Sequence, residues 1–211
     1  MKRNSSVSTV TTRRPRVAGD REAEILDAAV RVLAEVGYDR FTMDTVAMEA
    51  RASKATLYRR WHNKAALVVD AVSRAKGMPN PDAPSTGSLR GDLLATWCGR
   101  EGWSASVPMS VMCGLMTALH TDDELKAAFH EGFLGPRQAM ARKIFEAARA
   151  RGEVVSGVDL DLVMSLLPAI CVQQELFLSR SVDDAFVARV IDTVVLPACQ
   201  ASQPTRLQPR S

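Results

Sequence analysis

Asp20, Thr42, Ser53 and Asn63 each stand directly ahead of a stretch that reads as helix, three of them inside the span 42–63. Side-chain oxygens at such positions accept hydrogen bonds from the unsatisfied N–H groups of a helix start. Caps this closely spaced dictate short helices joined by tight turns, and they exclude both a long rod and a sheet. Ahead of them, Ile25, Ala29, Val32, Leu33 and Val36 recur at the spacing of one helical face. Asp20 is expected to cap that helix, with Glu22 and Glu24 suiting its positive first turn and Gly37 its C′ position. Three helices then follow over about 43–50, 54–61 and 64–76, the last ending at Gly77.

Residues 77–88 hold three prolines and two glycines in twelve positions and are expected to be a linker between two domains, 20–76 and 89–200. Leu89, Leu93, Leu94 and Trp97 share one helical face, and Val111, Leu115, Met116 and Leu119 another. A helix from about 122 is expected to be interrupted at Gly132–Pro136, restart, and end near Gly152. A final pair covers 159–179 and 183–199, with Asp183 as a cap and Pro168 predicting a kink or break. Strand-type alternation is absent, so both domains are expected to be all-α. Residues 1–19, a basic arm, and 201–211 read as disordered tails.

Composition excludes several classes. Hydrophobic residues at 46% and charged residues at 24% are those of an ordinary globular chain. The longest apolar candidate, Leu160 to Phe177, is broken by Asp161, Gln173, Gln174 and Glu175, and the first twenty residues lack an apolar signal core. No membrane role and a cytoplasmic address are therefore expected. Cys98, Cys113, Cys171 and Cys199 form no CxxC pair, which argues for buried thiols and against a metal site. His62, His120 and His130 complete no triad or metal spacing, and no phosphate loop is present, so neither an enzyme nor a cofactor is expected. Residues 1–64 carry 13 Lys/Arg against 8 Asp/Glu, whereas the remainder carries 14 against 16. The positive charge belongs to the front of the chain, where it suits a polyanion.

The informative stretch runs from Gly37 to Lys64. Two short helices lie about four residues apart, with Phe41, Val46, Ala47, Leu57 and Trp61 as a shared core. Small residues at Ala47, Ala50 and Ala52 allow a steep, close crossing. That is the geometry of a helix-turn-helix, whose second helix enters the major groove of duplex DNA. Outside the Leu57/Trp61 stripe the second helix leaves Lys54, Thr56, Tyr58, Arg59 and Arg60 for phosphates and base edges.

The runs Phe41–Ala47, Ser53–Trp61 and Asn63–Leu67 resemble the DNA-binding domain of TetR/AcrR-type bacterial regulators. The resemblance implies that Thr42 caps the first motif helix beside phosphate, although capping alone would explain both Thr42 and Ser53. It implies base-edge contacts from Lys54, Ala55 and Thr56, phosphate contacts from Tyr58 and Lys64, and sequence choice by Arg59 and Arg60. Arg51 stands where the family commonly has glycine, and His62 where relatives often have proline, adding a candidate phosphate donor. The basic arm is a candidate for the minor groove. A softer resemblance covers Phe133–Arg137, Arg151–Glu153 and Asp183–Val187.

The same resemblance implies a homodimer through residues 159–199, reading a near-palindromic operator on double-stranded DNA. Leu162, Leu166, Leu167, Ile170, Phe177, Val187, Val190, Ile191, Val194 and Val195 are the apolar surface available for it. Trp97, Trp103, Met109, Met112, Met116, Phe129 and Phe133 would line a pocket for a small apolar effector, with Gln173 as a polar group, or would simply be core. The expected function is a repressor released by that effector. The rival is an architectural DNA-binding protein that senses nothing.

Overall fold

The computed structural model describes residues 18–77, 82–98, 107 and 109–201. The expected arm before Ala18, residues 78–81 of the expected linker, Trp103, the side chain of Met109 and the tail after Ala201 lie outside the described residues. Every element among the described residues is helical.

Helix α1 (Ala18–Arg40) starts two residues before the expected cap, so Asp20 sits in its first turn, where the positive helix end favours a carboxylate. Gly37, at φ 72° and ψ 170°, breaks that helix in two, as its C′ placement required. Helices α2 (Met43–Glu49), α3 (Lys54–Arg60) and α4 (Lys64–Ala75) follow within a residue or so of expectation. Their caps are made as the sequence proposed: Thr42, Ser53 and Asn63 accept from the backbone N–H of Thr45, Thr56 and Ala66. Thr45 returns the favour, its hydroxyl accepting from the Thr42 N–H at 3.3 Å and closing a capping box.

Between α2 and α3 the chain turns through Arg51 at φ 50°, a left-handed conformation that costs a residue with a Cβ about 1–2 kcal/mol. Arg51→Gly should therefore raise stability by about 1 kcal/mol and the melting temperature by a few degrees. Thermal unfolding followed by circular dichroism checks this. A variant melting below the parent would show that the turn is unstrained.

The remaining elements are α5 (Leu89–Trp97), α6 (Met109–Thr121), α7 (Asp123–Phe129), α8 (Gly135–Ala150), α9 (Leu160–Val172), α10 (Asp184–Val190) and α11 (Leu196–Gln200). The expected interruption at Gly132–Pro136 is instead a π-helical turn, His130–Leu134, that feeds directly into α8 with Pro136 in its first turn. Further π turns, Gln173–Phe177 and Ile191–Val195, extend α9 and α10. Pro168 does not break α9, which runs unbroken from Leu160 to Val172; proline removes the one N–H that would have met the Met164 carbonyl, and the turns on either side carry the helix through.

Two hydrophobic clusters hold the molecule. The first joins the heads of α1–α4, from Ile25 to Val72, with Val107, Met112, Leu115, Leu125, Phe129 and Phe133. The second joins Leu89 and Leu93 to α8–α11, with Ile144, Phe145, Leu167, Cys171, Ile191 and Val195 at its centre. The clusters thus cut across the linker: α6 and α7 pack with the N-terminal helices, while α5 packs with the C-terminal ones. At one contact the first cluster is tight enough to require glycine. A Cβ on Gly132 would lie 2.8 Å from Cγ1 of Val69 in α4.

The start of α5 is locked by polar groups. Asp92, 1% exposed, accepts from the Thr86 N–H and hydroxyl and from the Arg151 guanidinium. Glu153 accepts from the Leu89 N–H at 2.8 Å and pairs with Arg151. The Arg151–Glu153 motif is therefore a brace that pins the second domain's first helix to the end of α8. Of the four expected buried thiols, Cys171 and Cys199 are buried while Cys98 and Cys113 are only half-buried; burial pushes the first two up to about 12 and about 11, far from reactive thiolates.

Candidate nucleic-acid interface

Leu57 and Trp61 bury one side of α3 against the head's core, and the Trp61 indole N–H donates to Asp70 of α4 at 2.8 Å. This anchoring leaves the opposite side of α3 in solvent. Lys54, Ala55, Tyr58, Arg59 and Arg60 are exposed there, Thr56 is half-buried, and Ser53 and His62 flank them in the open. The structure therefore gathers all ten sequence-predicted contacts, from Thr42 to Lys64, onto α3 and the two helix starts beside it.

The cations on this surface are not equally available. Lys54 donates to Asp44 of α2 at 2.6 Å, and that hydrogen bond raises its pKa. Arg60 donates to Glu22 at 3.3 Å, with the same consequence for its guanidinium. Arg59 makes no ion pair among the described residues, so it projects as an uncommitted positive charge. The hydroxyls of Ser53 and Thr56 share one hydrogen bond at 2.8 Å while Ser53 caps the helix, so capping already employs both.

Lys64 begins α4 and lies 4.1 Å above the Tyr38 ring, its ammonium donating to the Tyr38 carbonyl at 3.5 Å. The Tyr38 hydroxyl in turn donates to Asp122, the cap of α7, at 2.9 Å. Burial, then that bond, holds the Tyr38 phenol well above its usual pKa, while the Leu125 N–H above all holds Asp122 below its own. Asn63 reaches Glu124 of α7 as well. Tyr38, Asp122 and Glu124 thus tie the head to the second domain. Sequence reasoning missed them because their partners lie more than sixty residues away and carry no local spacing signal.

The expected pocket residues divide. Met112, Phe129 and Phe133 lie in the first cluster, with the two phenyl rings stacked at 4.6 Å. Met116, on the same α6, is 38% exposed. Gln173 opens the π turn that packs against α6 but is exposed, whereas Trp97 packs on the second cluster. Arg137 stacks 3.8 Å over Phe133 and donates to the carbonyls of Phe133 and Gly77, and burial brings its pKa down to about 10. The motif Phe133–Arg137 therefore fastens the end of α4 to α8.

Comparison with known proteins agrees with this arrangement. Residues 25–71 match the family described as bacterial regulatory proteins, tetR family, and residues 83–194 match the tetracyclin repressor-like C-terminal domain. A DNA-binding transcriptional repressor TetR of Mycobacteroides abscessus is 36% identical over 176 residues, covering 83% of this chain and 92% of that protein. An uncharacterised HTH-type transcriptional regulator of Mycobacterium tuberculosis is 37% identical over 186 residues, covering 86% and 89%. A crystal structure of a TetR family transcription regulator superposes with a TM-score of 0.61 at 27% identity, covering 85% of this chain and 98% of that one. These relatives are regulators and not enzymes. With a helix-turn-helix head, an all-helical second domain and matches across both, the chain belongs to the TetR family of DNA-binding transcriptional regulators.

Proposed function

We propose that the protein is a homodimeric repressor that leaves a near-palindromic operator when a small apolar molecule binds its second domain. The observation that carries this reading is the first hydrophobic cluster, which runs without a break from the DNA-reading head into α6, α7 and the π turn after it. Any ligand that repacks Met112, Phe129 or Phe133 moves groups in contact with α1 and α4, and so redirects the head. Met116 lies on α6 and Gln173 in the π turn packed against it, while Trp97 sits on the second cluster; Trp103 and Met109 complete the candidate set. The protein would act in the cytoplasm, where its operator is.

Dimerisation through residues 159–199 draws support from how that surface divides. Leu167, Val187, Val190, Ile191 and Val195 are spent on the protomer's own core, and Leu166, Ile170 and Val194 are partly covered by it. Leu162 and Phe177 remain 63% and 75% exposed. The window Leu160–Phe177 has a mean hydropathy of 1.4 yet is only 22% buried, so it presents apolar surface that a partner's matching helices would cover.

Selection from a random pool of duplex DNA tests the reading. One near-palindromic site should be enriched. Lys64→Ala should weaken binding uniformly across sequences and lower the slope of log affinity against log salt by about 1 per protomer, while Thr56→Ala should relax one base position. A panel of hydrophobic compounds should then contain some that release the complex. Binding that is steeply salt-dependent but enriches no site would instead identify an architectural protein.

A further inference from the structure

The head places one carboxylate where a DNA-reading surface has an electrostatic reason to avoid it. Asp44 stands in the first turn of α2, more than half exposed, and its Oδ2 accepts from Lys54 at 2.6 Å across the helix-turn-helix elbow. Lys54 is the first residue of α3, and the N-terminal residues of a recognition helix are those that meet base edges. Folding does not require the pair. The start of α2 is already closed by the Thr42/Thr45 capping box, and an exposed ion pair contributes little to stability. Toward phosphate, the carboxylate is repulsive. As a first-turn carboxylate Asp44 suits the positive start of α2, yet it repels phosphate, and its place beside Lys54 on this surface suits a contact with base edges.

We propose that Asp44 and Lys54 act together as a reader of one G·C pair in each half-site. In the major groove guanine offers the acceptors O6 and N7, and cytosine the N4 amino donor. O6 and N4 are hydrogen-bonded to each other across the pair, at the separation of about 2.9 Å usual for N–H···O. The protein presents the complementary couple at 2.6 Å, a donor nitrogen beside an acceptor oxygen. Lys54 has three N–H donors, so it keeps Asp44 while donating to O6 or N7. Asp44 has a second oxygen, Oδ1, for the cytosine amino group. An A·T pair in the same orientation sets the thymine O4 against Asp44, acceptor against acceptor, and is rejected. This assignment rests on the DNA-reading role of α3 and adds to it a residue on α2.

Selection with the full chain and its Asp44→Ala, Asp44→Asn and Lys54→Ala variants tests it. Asp44→Ala should relax one G·C position per half-site, lowering discrimination against A·T there by roughly tenfold, with the other positions unchanged. Lys54→Ala should relax that same position. Asp44→Asn keeps an acceptor and should hold part of the preference, and it serves as the readout if the alanine variant loses its helical circular dichroism. Three results would overturn the proposal: an unchanged site with tighter binding to every duplex, which makes Asp44 a mere repulsive charge; an unchanged site with uniformly weaker binding, which makes it a brace for α2; or relaxation at different positions in the two alanine variants. If the parent chain enriches no site at all, the DNA-reading assignment of α3 fails first and this one falls with it.

Discussion

Trp61→Ala should cost the protein about 3–5 kcal/mol, the range for deleting a large buried aromatic, and with it most sequence-specific DNA binding. Trp61 is 2% exposed at the C-terminal end of α3, and its indole N–H is tied to Asp70 of α4. With Leu57 it holds the exposed reading helix to the core behind it, and its indole ties that helix to α4. Truncation leaves a cavity beneath α3 and a carboxylate without its donor, so both the packing and the bearing of the helix are lost. Total stabilities of about 5–15 kcal/mol make such a loss a large share of the whole. Urea unfolding followed by circular dichroism measures it. Arg59→Ala, on the solvent side of the same helix, should stay within about 0.5 kcal/mol of the parent while still weakening DNA binding. Equal stability of the two variants would refute the anchoring role given to Trp61.

Exchanging both Leu162 and Phe177 for arginine should yield a folded monomer whose affinity for the full operator falls by a hundredfold or more. Both side chains project from the protomer, so their replacement leaves the second cluster intact and the melting curve nearly unchanged in shape. Charges placed on both copies of a self-complementary surface face one another across the two-fold axis and prevent closure. A monomer binds one half-site and forfeits the effective concentration that a tethered second head provides, a factor of about 10²–10⁴. Sedimentation gives the oligomeric state, and titration of full-site and half-site duplexes gives the affinity. A double variant that remains dimeric would move the interface elsewhere.

Local chemistry made much of the head legible. Thr42, Ser53 and Asn63 announce their helices because a cap acts on N–H groups two or three residues away. Gly37 was readable for the same reason, since a left-handed residue is a property of one position, whereas Arg51 stood out only through the family resemblance. Asp20 misled because a carboxylate suits a first turn as well as a cap, and only the extra turn at Ala18 distinguishes them. The π turns were invisible: a single additional residue per turn leaves no compositional mark, and Gly132–Pro136 read as a gap instead. Pairings such as Lys54 with Asp44 and Tyr38 with Asp122 depend on how helices cross, which spacing along the chain does not encode. Ten candidate contact residues could thus be placed on one surface in advance, but not which of their charges were already engaged.

The seam between the two hydrophobic clusters bears on how such a protein could be recombined. The proline-rich stretch at 77–88 looks like the natural splice point for giving one regulator's reading head to another's sensing half. Cutting there would part Val68, Val69 and Val72 of α4 from Leu125, Phe129 and Phe133, which close the same core from beyond the splice. A transplantable head must carry α6, α7 and the π turn with it, although α5 intervenes in the chain and belongs to the other half. In this chain head and second domain therefore form one interleaved whole, and a new operator is reached more readily by changing residues on α2 and α3 than by exchanging the piece that bears them.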